Sequence, residues 1–218
     1  MRKKCLSRFQ LIPTTKQLNY LLLNAAWIGL VLMQSSMAYS TTLTVQVTDE
    51  LNVPIENVAI YAESASGEIL PKSIQSVDIA QKKRQFVPLV TVIQVGTEIN
   101  FPNYDSVKHH VYSFSATQNF DLPLYSGKPS KPQLFDKLGT VVLGCNIHDQ
   151  MIAYVQVVNT PYFGKTDANG KVKLTGINPG KYTLKAWHFK LPATAQVVAQ
   201  PVSISGVENT ASFKLNVK

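Results

Sequence analysis

Cysteine is scarce in this chain of 218 residues, which has only two, Cys5 and Cys145. No C-x-x-C-H run occurs, and its absence excludes covalent haem attachment. Helical periodicity is equally hard to find, which argues against a helical architecture. No Lys/Arg stripe with interleaved aromatics appears, so the footprint of a nucleic-acid binder is missing. The one basic cluster, "QKKRQ" at 81–85, reads as a charged turn. The glycine of "PGKY" (179–182) is turn chemistry and not a phosphate cradle, because no helix follows it.

The N-terminus accounts for most of the apparent basicity. Arg2, Lys3, Lys4, Arg8 and Lys16 supply positive charge with no acidic residue among the first forty, so the formal charge of +8 falls to near +3 beyond them. The apolar segment "LLLNAAWIGLVLM" (21–33) follows, then "QSSMAYS". A basic region, a short apolar core and a small-residue exit read as a secretory signal peptide over 1–40, cut after Ala38 or Ser40. An uncleaved anchor is the alternative, although the core is short, and interrupted by Asn24, for a span of about 20 residues. The expected location is periplasmic or otherwise exported, with no stable membrane span after cleavage. Beyond residue 40, Cys145 is the sole thiol and Met151 the sole methionine. An exported chain with one cysteine has no internal disulfide, and an unpaired thiol in an oxidising compartment needs a reason to persist.

Short alternating or β-branched runs dominate residues 41–218. They include "LTVQVT" (43–48), "NVAIYAE" (57–63), "LVTVIQV" (89–95), "HHVYSFS" (109–115), "GTVVLGC" (139–145), "IAYVQVV" (152–158), "KYTLKAW" (181–187) and "ASFKLNV" (211–217). Gly, Pro, Asn and Asp separate them, which predicts an all-β sandwich fold. Two tight turns, 167–170 and 178–180, read as the bends of a meander of β-hairpins. Residues 159–190, with "TDANGKVKLTGINPGKY" at their centre, resemble the later half of the carboxypeptidase regulatory-like, transthyretin-like sandwich. Residues 43–62 resemble its opening hairpin. The resemblance implies a smaller sandwich built from 41–65 and 159–218, with a second domain, 66–158, inserted between the two parts.

The inserted region holds the chemistry. "LGCNIHDQMIAYVQVV" (143–158) spaces Cys145, His148 and Met151 three residues apart, just before a buried strand. Upstream, "VGTEINFPNYDSVKHHVYSFS" (95–115) runs strand, loop and strand, the second opening at His109-His110. Two imidazoles, a thiolate and a weak thioether suit copper in both of its common valences. Zinc on the same residues is the competing metal, although structural zinc rarely recruits a thioether. The remaining alternative is a buried Cys145 with His148 on a solvent loop.

This pattern over 78–158 resembles the mononuclear blue-copper cupredoxins, of the amicyanin and plastocyanin kind, with a two-and-two loop spacing nearest to amicyanin. The whole chain resembles exported cupredoxin-type proteins labelled "methylamine utilization protein". The resemblance implies a Greek-key cupredoxin sandwich and one type 1 copper held by His109, Cys145, His148 and axial Met151. His110 then stands where that family commonly has an asparagine tying the ligand strand to the cysteine loop, so His110, Asn103 or Asn146 would make the tie. Asp149 and Gln150 replace the usual proline and aromatic, which predicts a more polar rim around His148.

One cysteine is too few for a binuclear copper electron-transfer centre, and His109, His110, His148 and His188 are too few for additional catalytic coppers. An enzyme is not expected. The implied function is one-electron transfer between protein partners, from a dehydrogenase or respiratory donor to a haem or copper acceptor, partners of the dehydrogenase, cytochrome c or terminal oxidase type. An extracytoplasmic copper-handling protein, or an interaction module with a vestigial site, are the alternatives. His188, beside Trp187, reads as a packed or surface residue of its strand. Tyr104, Tyr112 and Tyr125 read as packing, and Asp105 and Asp121 as turn residues.

Overall fold

The structure, a computed structural model, describes residues 41–68, 70, 76–129, 131–192 and 197–217. The expected signal segment lies outside the described residues, and so does its expected cleavage point. All regular structure among the described residues is β, as the alternating pattern requires. The described residues pack as one compact unit. No helix among the described residues is long and apolar enough to cross a membrane.

Two hydrophobic cores divide the chain in an instructive way. The first draws on both ends, from Leu43, Val45, Val47 and Ile60 to Leu174, Leu184, Phe213 and Leu215. Two sheets enclose it. One has the strands Lys171–Thr175, Thr42–Thr48 and Glu208–Lys214 side by side; the other has Phe163–Lys165, Ala59–Ser64, Gly180–Trp187 and Val198–Ile204. Thr42–Thr48 runs antiparallel to Lys171–Thr175 and parallel to Glu208–Lys214.

This arrangement corrects the hairpin expectation. Phe163–Lys165, Lys171–Thr175 and Gly180–Trp187 do not form a meander, because the middle strand lies in the opposite sheet from its neighbours. Thr42–Thr48 and Ala59–Ser64 are likewise in different sheets. The tight turns are corners between layers. Every second side chain of Lys171–Thr175 and of Thr42–Thr48 is buried, and such a strand fills one core equally well from either layer. Periodicity alone does not choose between them.

The second core comes from the middle of the chain, from Ile79 and Phe86 through Phe101, Val111 and Phe135 to Cys145, Met151 and Val157. A five-stranded sheet covers it in the order Val90–Gln94, Ile152–Val158, Gly139–Gly144, His109–Ser115 and Gln118–Tyr125. Opposite stand Gln133–Phe135, Thr97–Asn100 and Ser76–Asp78. After Gln118–Tyr125 the chain crosses to that smaller sheet and returns beside His109–Ser115, which is a Greek-key step. Gln118–Tyr125 is an edge strand carrying Pro123, with a register shift against His109–Ser115. Edges and bulges are where a sheet tolerates proline.

The two cores share a seam. Val90–Gln94 is buried on both faces, its outer face lying against Phe163–Lys165 and Ala59–Ser64. Tyr154 stacks on Phe189 with ring centroids 4.9 Å apart. The corner that holds the first sandwich's turn has no room for a side chain. Gly170 has φ +68°, and a Cβ there would lie 2.3 Å from the Val47 carbonyl oxygen. Gly170→Ala is therefore expected to lose at least about 1–3 kcal/mol of stability, read as a lower denaturant midpoint at unchanged slope.

Candidate metal centre

Three strand ends converge at one end of the five-stranded sheet. His109 opens its strand fully buried, facing the core together with Val111 and Ser113. Cys145 follows Gly139–Gly144 directly, where Gly144 pairs with Tyr112. His148 and Met151 sit on the turn leading into Ile152–Val158, and that turn is closed by the Met151 N–H donating to the His148 carbonyl at 2.8 Å.

The result is a compact donor group. A ring nitrogen of His109, a ring nitrogen of His148 and the Cys145 sulfur all lie within 4.8 Å of one another. The two rings meet edge to face with centroids 5.1 Å apart. Met151 is buried, belongs to the same apolar core as Cys145, and lines with it the floor of a cleft of about 480 Å³ walled by Tyr112, Phe114 and Val142.

Hydrogen bonding fixes which nitrogen of His109 faces inward. Its Nε2 lies 2.8 Å from Asp105 Oδ2. The backbone N–H of Arg84 donates to the same carboxylate and holds Asp105 below the usual carboxylate range; burial opposes this, and His109 and the Lys83 N–H reinforce it. An ionised carboxylate only accepts, so Nε2 carries the proton and Nδ1 presents a lone pair. Nδ1 of His109 and Nδ1 of His148 are both buried with no hydrogen-bond partner. Buried polar atoms are nearly always paired, and unpartnered ring nitrogens of two histidines beside a thiol are what a metal ion would satisfy. The donors fit a thiophilic, imidazole-binding ion, and a thioether from Met151, which shares a core with Cys145, would suit copper better than zinc.

Several neighbouring residues behave differently from the sequence reading. Asp105 lies in a loop but is tied to His109, and Asp121 lies within the strand Gln118–Tyr125, not in a turn. His110 is buried as well as His109: it faces the opposite side, beneath Tyr112, with Nε2 2.5 Å from Asp121 Oδ1. Its hydrogen bond thus goes to the edge strand and not to the cysteine loop. Asn103 donates to the carbonyls of Val107 and Tyr125, closing the loop before His109. Tyr104 does not pack, being 67% exposed. Tyr125 does: its hydroxyl donates to the Phe101 carbonyl at 2.6 Å and accepts from Gln81, and burial pushes its pKa up to about 12. The four-residue spacing from Asp105 to His109 does not distinguish Asp105 from an ordinary turn aspartate, so its tie to His109 is visible only in the structure.

The match with known proteins is limited to structure. No family model matches the sequence, and no curated protein matches it. Similar solved structures include amicyanin in its Cu(I) form, at 15% identity and a TM-score of 0.36, covering 47% of this chain and all of that one. A purple cupredoxin from Nitrosopumilus maritimus has 18% identity and a TM-score of 0.32, covering 53% of this chain and 98% of the other. The Cu-containing nitrite reductase of Thermus scotoductus SA-01 has 24% identity and a TM-score of 0.36 over 38% of this chain, which spans 22% of that enzyme.

His188 is outside the donor group. It is buried against Phe189, with centroids 4.3 Å apart, and burial followed by Lys190 lowers its pKa from 6.5. A folded-state pKa below the unfolded one gives stability that is present above pH 6.5 and lost as the pH falls below it. His188→Gln should therefore flatten part of the acid-side decline of the denaturant midpoint, while an identical pH profile would show that residue 188 does not contribute to it.

Proposed function

We propose that this protein is an exported mononuclear copper protein that carries single electrons between protein partners and is not itself an enzyme. The observation carrying this reading is the pair of buried, unpartnered imidazole nitrogens beside the Cys145 thiol. Copper bound there would supply a one-electron couple, with intense visible absorption from its thiolate bond. Cys145 would give the thiolate, His109 and His148 neutral imidazoles, and Met151 a weaker thioether. Donors anchored on strand ends of a stiff sandwich stay in place when valence changes, which is what rapid transfer needs.

His148 is the one donor that is partly exposed, and Ile147, Asp149 and Gln150 around it are exposed. A donor of the dehydrogenase type and an acceptor of the cytochrome c or terminal oxidase type would approach on this rim, the polar residues setting encounter and orientation. Asp149→Asn with Gln150→Ala should weaken such docking while leaving the visible spectrum unchanged.

Purifying the exported form with copper and recording its spectrum tests the central reading. The wild type should be coloured when oxidised and bleach reversibly on reduction, and Cys145→Ser should be colourless. Met151→Leu should keep the colour and raise the reduction potential, since a weak donor to the oxidised ion is lost. A wild type that stays colourless with copper, and gains no stability from it, would overturn the proposal.

A further inference from the structure

The basic turn at 81–85 is more than a solvated bend. Lys83 and Arg84 both have left-handed backbone, with φ 54° and 56°. Neither is a residue that adopts this conformation readily, and consecutive strained positions persist only where their surroundings hold them. What holds them is a two-residue hairpin turn, which requires positive φ at both central positions, together with Asp105. The Lys83 N–H donates to Asp105 Oδ1 at 2.6 Å and the Arg84 N–H to Oδ2 at 2.8 Å. Successive backbone N–H groups converging in this way form an anion-binding hollow. The turn is closed by paired bonds between Lys82 and Gln85. It is also bonded to the aspartate's own loop, where the Tyr104 N–H donates to the Gln81 carbonyl and the Asp105 N–H to Asn103 Oδ1, each at 2.9 Å.

The second carboxylate oxygen faces two ways, accepting from Arg84 and from His109 Nε2. We infer that Asp105, clamped by the main chain of Lys83 and Arg84, is the positioning residue that holds the His109 ring with Nδ1 toward Cys145 and His148 and strengthens it as a donor. The basic turn then acts on the site through its backbone N–H groups and not through its side-chain charges. Carboxylates bonded to the outer nitrogen of a ligating histidine fix its tautomer and raise its basicity. A more basic donor favours the oxidised ion over the reduced one, so the clamp holds the reduction potential down. This inference rests on the copper reading for its redox part, whereas the tautomer is a property of the metal-free protein.

The test has two readouts. Nitrogen NMR of the metal-free wild type should show His109 protonated at Nε2 and bare at Nδ1. In Asp105→Asn, whose neutral amide oxygen accepts less strongly, that preference should weaken, affinity for Cu(II) should fall about 10–100-fold, and the potential should rise by about 59 mV for each tenfold difference between the two valences. A Lys83→Gly/Arg84→Gly variant keeps both N–H groups and eases the backbone, so its His109 tautomer should match the wild type and its Cu(II) affinity should stay within about twofold, well short of the loss expected on breaking the clamp. A wild-type His109 protonated at Nδ1 overturns the inference even if the aspartate variant fails to fold. Unchanged Cu(II) affinity and potential in a folded Asp105→Asn also overturn it, with the copper reading left standing. A glycine variant as impaired as Asp105→Asn overturns the main-chain route. A wild type that binds no copper overturns the redox part together with the proposed function, and the NMR result still decides the positioning role.

Discussion

Gathering two imidazole nitrogens and a thiol inside an apolar core, with no protein group to satisfy the nitrogens, is the constraint around which this molecule is arranged. Each buried nitrogen left unpaired costs on the order of 1–3 kcal/mol, so the surrounding sandwich must supply that stability from elsewhere. It does so with apolar side chains of the core that Cys145 and Met151 belong to, Phe101, Phe135, Val111 and Leu143 among them. Binding free energy at such a place becomes folding free energy, and the donors are shared among separate strand ends. A metal there would therefore staple the ligand strand to the cysteine loop.

The same logic explains the tie behind His109. A ring free to rotate would turn its lone pair away from the other donors, and a loop without anchorage would carry the ring with it. Asp105 limits the rotation and the turn at 81–85 limits the loop. The seam between the two cores adds rigidity from the other side, because a strand buried on both faces cannot shift without disturbing two interiors.

Legibility from sequence followed physics. The strands His109–Ser115 and Ile152–Val158 were readable to the residue because β-branched and alternating apolar runs end at polar loops. Gln118–Tyr125 was not readable, since Pro123 disguises an edge strand as a loop. Layer membership was also hidden, because alternation looks the same from either side of a core. The grouping of His109, Cys145 and His148 was accessible because the Cys-x-x-His-x-x-Met loop, with a histidine opening an earlier strand, resembles the blue-copper pattern, and the scarcity of thiol and thioether drew attention to that loop. Asp105, Asp121 and the burial of His110 were not, since their roles come from contacts with other segments that no local pattern announces.

The first strand has a further consequence for biosynthesis. Its two sheet neighbours are Lys171–Thr175 and Glu208–Lys214, so on a ribosome delivering residues in order, Thr42–Thr48 waits unpaired while the whole central region is produced. The donor-bearing core, whose residues run from Ile79 to Val157, is complete before either neighbour exists. The sandwich built from both ends of the chain is thus the last part to close, and it closes beside a module that has already had the chance to form.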